Sequence, residues 1–174
     1  MNDDFKTITR SDGLPILVDA ADFAWLNQRK WFPGGPDGKY AARSEMTGGV
    51  TRRIYLHREL MSPPPGVVVD HINADPLDNR RCNLRLATRG QNAANKSNTR
   101  NPTGFFGVCH DPTQDRFQAS VTQDGARFRG PWRKDAKTAA EDYDRLARGI
   151  HGEFGRYNFP GPGEQGIRRE GVHG

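Results

Sequence analysis

The chain has 174 residues, a net charge of +5 and a hydrophobic fraction of 34%, with a mean hydropathy of −0.85. So little apolar material, punctuated by 20 Gly and 12 Pro, excludes one thick globule and favours small modules joined by loops. No apolar run reaches the length of a membrane span, and Met1-Asn2-Asp3-Asp4 lacks the apolar stretch of a signal peptide, so the chain reads as cytoplasmic, with no membrane partner. The basic balance suits a nucleic-acid partner without establishing one. Cys82 and Cys109 form no Cys-x-x-Cys pair, so neither a structural zinc site nor a disulfide framework is expected.

In chain order, residues 1–53 read as a strand-rich segment. Leu14–Val18, Lys39–Arg43 and Arg53–Leu56 are strand-like, and Gly34-Gly35 and Gly48-Gly49 mark bends. Asp19–Trp31 reads as a short helix with Phe23 and Leu26 on one face. From His57 a further helix is stopped by Pro63-Pro64-Pro65. The apolar strand Val67-Val68-Val69 then runs straight into Asp70-His71. A polar loop, Asn73–Arg81, leads to the strand Leu84–Ala87, and Thr88 is placed to cap a helix carrying Gln91, Asn92 and Asn95.

Residues 99–103 read as a linker. Beyond it, Phe117, Ala119 and Val121 alternate with Gln118, Ser120 and Thr122, the period-2 pattern of a half-buried strand. Asp124-Gly125 supplies a hairpin turn into Arg127-Phe128-Arg129. Asp135 opens a helix whose stripe is Ala136, Ala139, Ala140, Tyr143, Leu146, Ala147 and Ile150, long enough to cover a three-stranded sheet. Residues 161–174 read as a disordered tail. The fold class expected is α+β: a small strand–strand–helix core, then a three-stranded antiparallel sheet packed on one helix.

An Asp beside a His at a strand end is most often structural. Here the buried strand Val67-Val68-Val69 would hold the pair rigidly, and a helix folded back over the hairpin would bring Asn92 opposite. Asp and Asn are hard oxygen ligands that suit Mg²⁺. His71, on the opposite strand face from Asp70, is available to act on water.

The run Val69-Asp70-His71-Ile72-Asn73-Ala74-Asp75-Pro76-Leu77-Asp78-Asn79-Arg80-Arg81-Cys82-Asn83-Leu84-Arg85 resembles the core of HNH homing endonucleases and their free-standing phage relatives. The similarity extends from Tyr55-Leu56-His57-Arg58 to Thr88-Arg89-Gly90-Gln91-Asn92, within residues 54–98. The resemblance implies a two-stranded ribbon and a helix clasping one divalent ion, Mg²⁺ or Mn²⁺. By motif, Asp70 and Asn92 are the ligands, His71 the general base, and Asn83 the middle Asn, which braces the hairpin. The family's third position is often His; Asn92 there marks the phage subtype, and if the chain is phage-encoded its place is the host cytoplasm. The implied reaction is metal-dependent phosphodiester hydrolysis. His57 reads as packing or hydrogen-bonding at the base of its helix, and the Asn73, Asp75, Asp78 and Asn79 cluster as a long turn satisfying itself. Arg58 and Arg85 are candidate DNA contacts.

Residues 104–160 resemble the plant ethylene-response-factor DNA-binding domain in Gly107-Val108, Phe117-Gln118-Ala119, Ala139-Ala140-Glu141-Asp142-Tyr143-Asp144, Gly152-Glu153-Phe154 and Asn158-Phe159-Pro160. That family lays its sheet in the major groove. The resemblance implies double-stranded DNA as partner, read by Arg116, Gln118, Ser120, Arg127 and Arg129. Cys109, His110 and Ser120 depart from the plant pattern, so the plant target sequence does not transfer. Taken together, the expectation is a monomeric, site-preferring and possibly nicking endonuclease. A non-catalytic DNA-binding regulator on a degenerate HNH fold is the alternative.

Overall fold

The computed structural model describes residues 4–95 and 101–167. The linker expected at 99–103 and the tail expected at 161–174 lie partly outside those residues. The chain divides into two compact units, Met1–Thr88 and Arg89–Gly174.

In the first unit, β1 (Phe5–Thr9) and β2 (Pro15–Asp19) pair antiparallel, Phe5 facing Asp19 and Thr9 facing Pro15. The helix α1 (Ala20–Leu26) follows. It is shorter than the Asp19–Trp31 expected, because Asn27 ends it and Trp31 turns inward as a core residue, its indole N–H donating to the Leu26 carbonyl at 3.0 Å. β3 (Phe32–Gly34), β4 (Tyr40–Thr47) and β5 (Val50–Tyr55) make an antiparallel sheet in that order. Gly48 and Gly49, both at positive φ, close its two-residue turn. α2 (Leu56–Met61) leads by way of the prolines to β6 (Val68–His71), which pairs antiparallel with β7 (Leu84–Ala87). One core runs through all of this: Ile8, Ile16, Val18, Leu26, Trp31, Ala41, Leu56, Leu60, Val69 and Leu84. The strand-rich segment and the β6–β7 ribbon therefore bury their apolar faces against each other, and neither has a separate core.

In the second unit, α3 (Arg89–Ala94) comes first. Arg156, almost fully buried, ties its end into the unit by donating to the Asn95 carbonyl at 2.6 Å. β8 (Val108–Asp111), β9 (Arg116–Gln123) and β10 (Ala126–Arg133) form an antiparallel sheet with β9 central. Asp124 and Gly125, at φ 50° and 84°, form its tight turn. α4 (Ala136–His151) is capped by Asp135, whose carboxylate accepts from the Thr138 amide at 2.8 Å. Its stripe covers one sheet face: Val108, Ala119 and Val121 are buried against Ala139, Ala140, Tyr143 and Ala147. Gly107 permits close approach, since its φ is +69° and a Cβ there would enter the Tyr143 ring. Beyond Pro160, where the sequence reads as disordered, β12 (Gln165–Gly166) pairs parallel with β11 (Arg156–Tyr157). Glu164 is held there by Arg148 through two 2.8 Å bonds. No helix among the described residues is long and apolar enough to cross a membrane.

Candidate active site

Asp70 and His71 end β6, and alternation on a strand sends their side chains to opposite faces. Both are buried, at 3% and 6% exposure. The register places Asp70 opposite Arg85 on β7. The Arg85 guanidinium donates from Nε to Asp70 Oδ2 at 2.8 Å, and its Nη2 lies 2.8 Å from the same oxygen as an ion pair. Arg85, expected as a DNA contact, is thus the ion-pair partner of the candidate ligand.

His71 sits in an aromatic box. The His57 ring meets it edge-on with centroids 5.2 Å apart, and Tyr40 lies 6.1 Å away. His57 in turn stacks on Tyr55 at 5.7 Å and contacts Tyr40 at 5.2 Å. Neither ring nitrogen of His57 has a hydrogen-bond partner among the described residues, and its Nδ1 is fully covered. Burial, with His71 and Arg58 nearby, pushes His57 down to about 3. Burial also lowers His71, against the opposing effect of its Asn79 hydrogen bond and of Asp70, Asp75 and Asp78. Both rings are therefore neutral near pH 7, the state in which an imidazole can take a proton.

The loop between the ribbon strands is closed by its own side chains. Asn83 Oδ1 accepts from the Asn73 amide at 2.9 Å, and its Nδ2 donates to Asn73 Oδ1 at 2.9 Å and to the Asp78 carbonyl at 2.7 Å. Burial raises the Asp78 carboxyl, but its bonds to Arg80 and Asn73 outweigh this and hold it below the usual range. The N-terminal hairpin reinforces the loop: Leu17 donates to the Leu77 carbonyl at 2.9 Å and accepts from the Asn79 amide at 2.8 Å. Arg81 is pinned by Asp19 and Asp22. Asn79, read from sequence as a turn residue, lies with Oδ1 3.4 Å from His71 Nε2. Only the tertiary contact marks it out.

Asn92 is on α3, in the second unit, and half-buried. Asp70 is a hard oxygen donor, of the kind that suits a cation completing its shell with water and phosphate. Among the described residues, no group of three or more His, Cys, Asp or Glu is arranged to hold a metal ion. Arg58 is exposed on α2.

In the second unit, the sheet face away from α4 carries Arg116, Ser120, Arg127 and Arg129; Ser120 is opposite Arg129 and Thr122 opposite Arg127. Gln118 lies on that face too, but its amide donates to the Gly130 carbonyl at 2.9 Å. Trp132, not singled out in the sequence, joins them. A bulge between Arg129 and Trp132 shifts the register by one residue and sets Trp132, 45% exposed, opposite Gln118.

The chain matches the HNH endonuclease family over residues 62–94. It is 34% identical over 160 residues to a protein of Acanthamoeba polyphaga mimivirus named "Uncharacterized HNH endonuclease", covering 88% of this chain and 80% of that one. Protein 3.8 of Escherichia phage T7 is 32% identical over 95 residues, 54% of this chain and 78% of its own. No solved structure matches. The buried Asp-His pair on a two-stranded ribbon, the loop braced by Asn83, and similarity that spans most of the mimivirus protein agree: the chain belongs to the HNH endonuclease family.

Proposed function

We propose that this protein is a divalent-metal-dependent endonuclease that hydrolyses a phosphodiester bond in double-stranded DNA. The observation that carries the reading is the Asp70-His71 pair: a carboxylate and a neutral imidazole, buried side by side on opposite faces of a rigid ribbon. His71 takes a proton from the water that attacks phosphorus, a role worth about 10²–10⁴-fold in rate. Asp70 would be a ligand of one Mg²⁺ or Mn²⁺ ion, with Asn92 the second ligand that the family motif implies, and the bound ion would supply neutralisation of the charge that develops on the phosphate. Arg85 orients the Asp70 carboxylate through their ion pair, and Asn83 keeps the loop closed.

The second unit is the DNA-reading part. Its three-stranded sheet, packed on one helix, presents a face of a size the major groove admits. Arg116, Arg127, Arg129 and Trp132 are its forward side chains. Ser120 lies among them, while Gln118 is engaged by the bulge. Arg58 is a further phosphate contact. A monomer with one centre nicks one strand.

Supercoiled plasmid incubated with Mg²⁺, with and without chelator, tests this. Nicked product that disappears with chelator and with His71→Ala, while DNA binding persists, supports the enzyme. Binding without nicking under any divalent ion makes the protein a DNA-binding regulator instead.

A further inference from the structure

Asn79 is 1% exposed, and three bonds define its position. Its amide N–H donates to the Leu17 carbonyl on β2 at 2.8 Å, its Nδ2 donates to the Pro76 carbonyl at 3.2 Å, and its Oδ1 faces His71 Nε2 at 3.4 Å. The Pro76 contact decides which way the side-chain amide points. A flipped amide would set Oδ1 against a carbonyl oxygen, acceptor against acceptor. The atom facing His71 is therefore an oxygen that can only accept.

We propose that Asn79 is a positioning residue for His71, holding the ring in the tautomer with the proton on Nε2 and so making Nδ1 the nitrogen that acts on water. The inference rests on the reading of His71 as general base. A neutral imidazole carries a single N–H, so an acceptor at Nε2 places the lone pair on Nδ1. The N-terminal hairpin supplies the rigidity. Leu17 lies between Ile16 and Val18, both fully buried, and its backbone bonds clamp the loop on either side of Asp78. The amide that orients the base is thus held by a strand more than fifty residues earlier in the chain.

The test uses the full chain with ¹⁵N-labelled histidine. The signals of His71, one of five histidines, are assigned by their loss in His71→Ala. The expected wild-type pattern is that of a neutral ring protonated at Nε2. Asn79→Leu, which removes the acceptor at similar size, is expected to shift the ring towards the other tautomer. It should lower kcat for plasmid nicking by about ten- to a hundredfold, the usual effect of losing such a partner, with KM and metal-free DNA affinity within about twofold. Asn79→Asp, which keeps an acceptor oxygen, should retain the wild-type tautomer. A wild-type ring protonated at Nδ1 overturns the proposal, as does an Asn79→Leu protein with unchanged tautomer and kcat. The wild-type spectrum decides even if the leucine variant fails to fold. If His71→Ala nicks at the wild-type rate, it is the base assignment that fails, and the tautomer result is read separately.

Discussion

His57 shows how burial turns a polar side chain into a pH-dependent element. Its proton binds at about 3 in the folded chain, against about 6.5 in an unfolded one. The unfolded state therefore binds more protons between those limits. The stability tied to this ring is complete above pH 6.5 and declines as pH falls towards 3, by at most about 1.4 kcal/mol per unit. His71, lowered in the same direction, adds to the decline. Urea unfolding at pH 7.5 and pH 5 should show the loss, and His57→Phe should reduce it. Asn83 argues the complementary case, since its three hydrogen bonds close the loop. Asn83→Ala is expected to cost about 2–4 kcal/mol by leaving buried loop groups unpaired, measurable as a lowered midpoint. Ala74 occupies the left-handed region at φ 55°, where a Cβ costs about 1 kcal/mol. Ala74→Gly should leave the loop bonds intact and raise stability by up to that amount.

The β8–β9–β10 sheet was legible from alternation alone, because Phe117, Ala119 and Val121 repeat with a period of two and Asp124-Gly125 provides the turn. The bulge was not, since nothing local in Gly130-Pro131 says that Trp132 will lie opposite Gln118. Gly130 fits there because a Cβ would press on Ala119 and Asp142 beneath it, at 3.3 and 3.5 Å. Arg127 and Arg129 share the outward face, so replacing both with Ala should weaken DNA binding. If each neutralises one phosphate, the salt-dependence slope falls by about 2, while the intrinsic rate of nicking at saturating DNA is unchanged. Filter binding across a salt series measures the first, and single-turnover cleavage the second. On the other face, Gly107→Ala should destabilise the second unit, because it puts a methyl group into the Tyr143 ring and strains a left-handed backbone.

The two units ask different things of their sequence. Met1–Thr88 has one core shared by the N-terminal strands and the β6–β7 ribbon. Truncating Trp31 to Ala, far in sequence from the candidate site, is expected to cost about 3–5 kcal/mol and to lower nicking by loosening the loop that carries Asn79. Thermal unfolding and plasmid nicking on the same preparation check both. Local pattern was enough for the Asp70-His71 pair at a strand end, the loop and the capped helix α4 with its stripe, because spacing and periodicity are properties of neighbouring residues, and the HNH family was legible only as the resemblance of one motif to others already known. It was not enough for Arg85 on Asp70, for His57, Tyr40 and Tyr55 around His71, or for Leu17 holding Asn79. Those pairs are joined by strand register and by a common core, and such contacts between distant residues exist only once the chain has closed on itself.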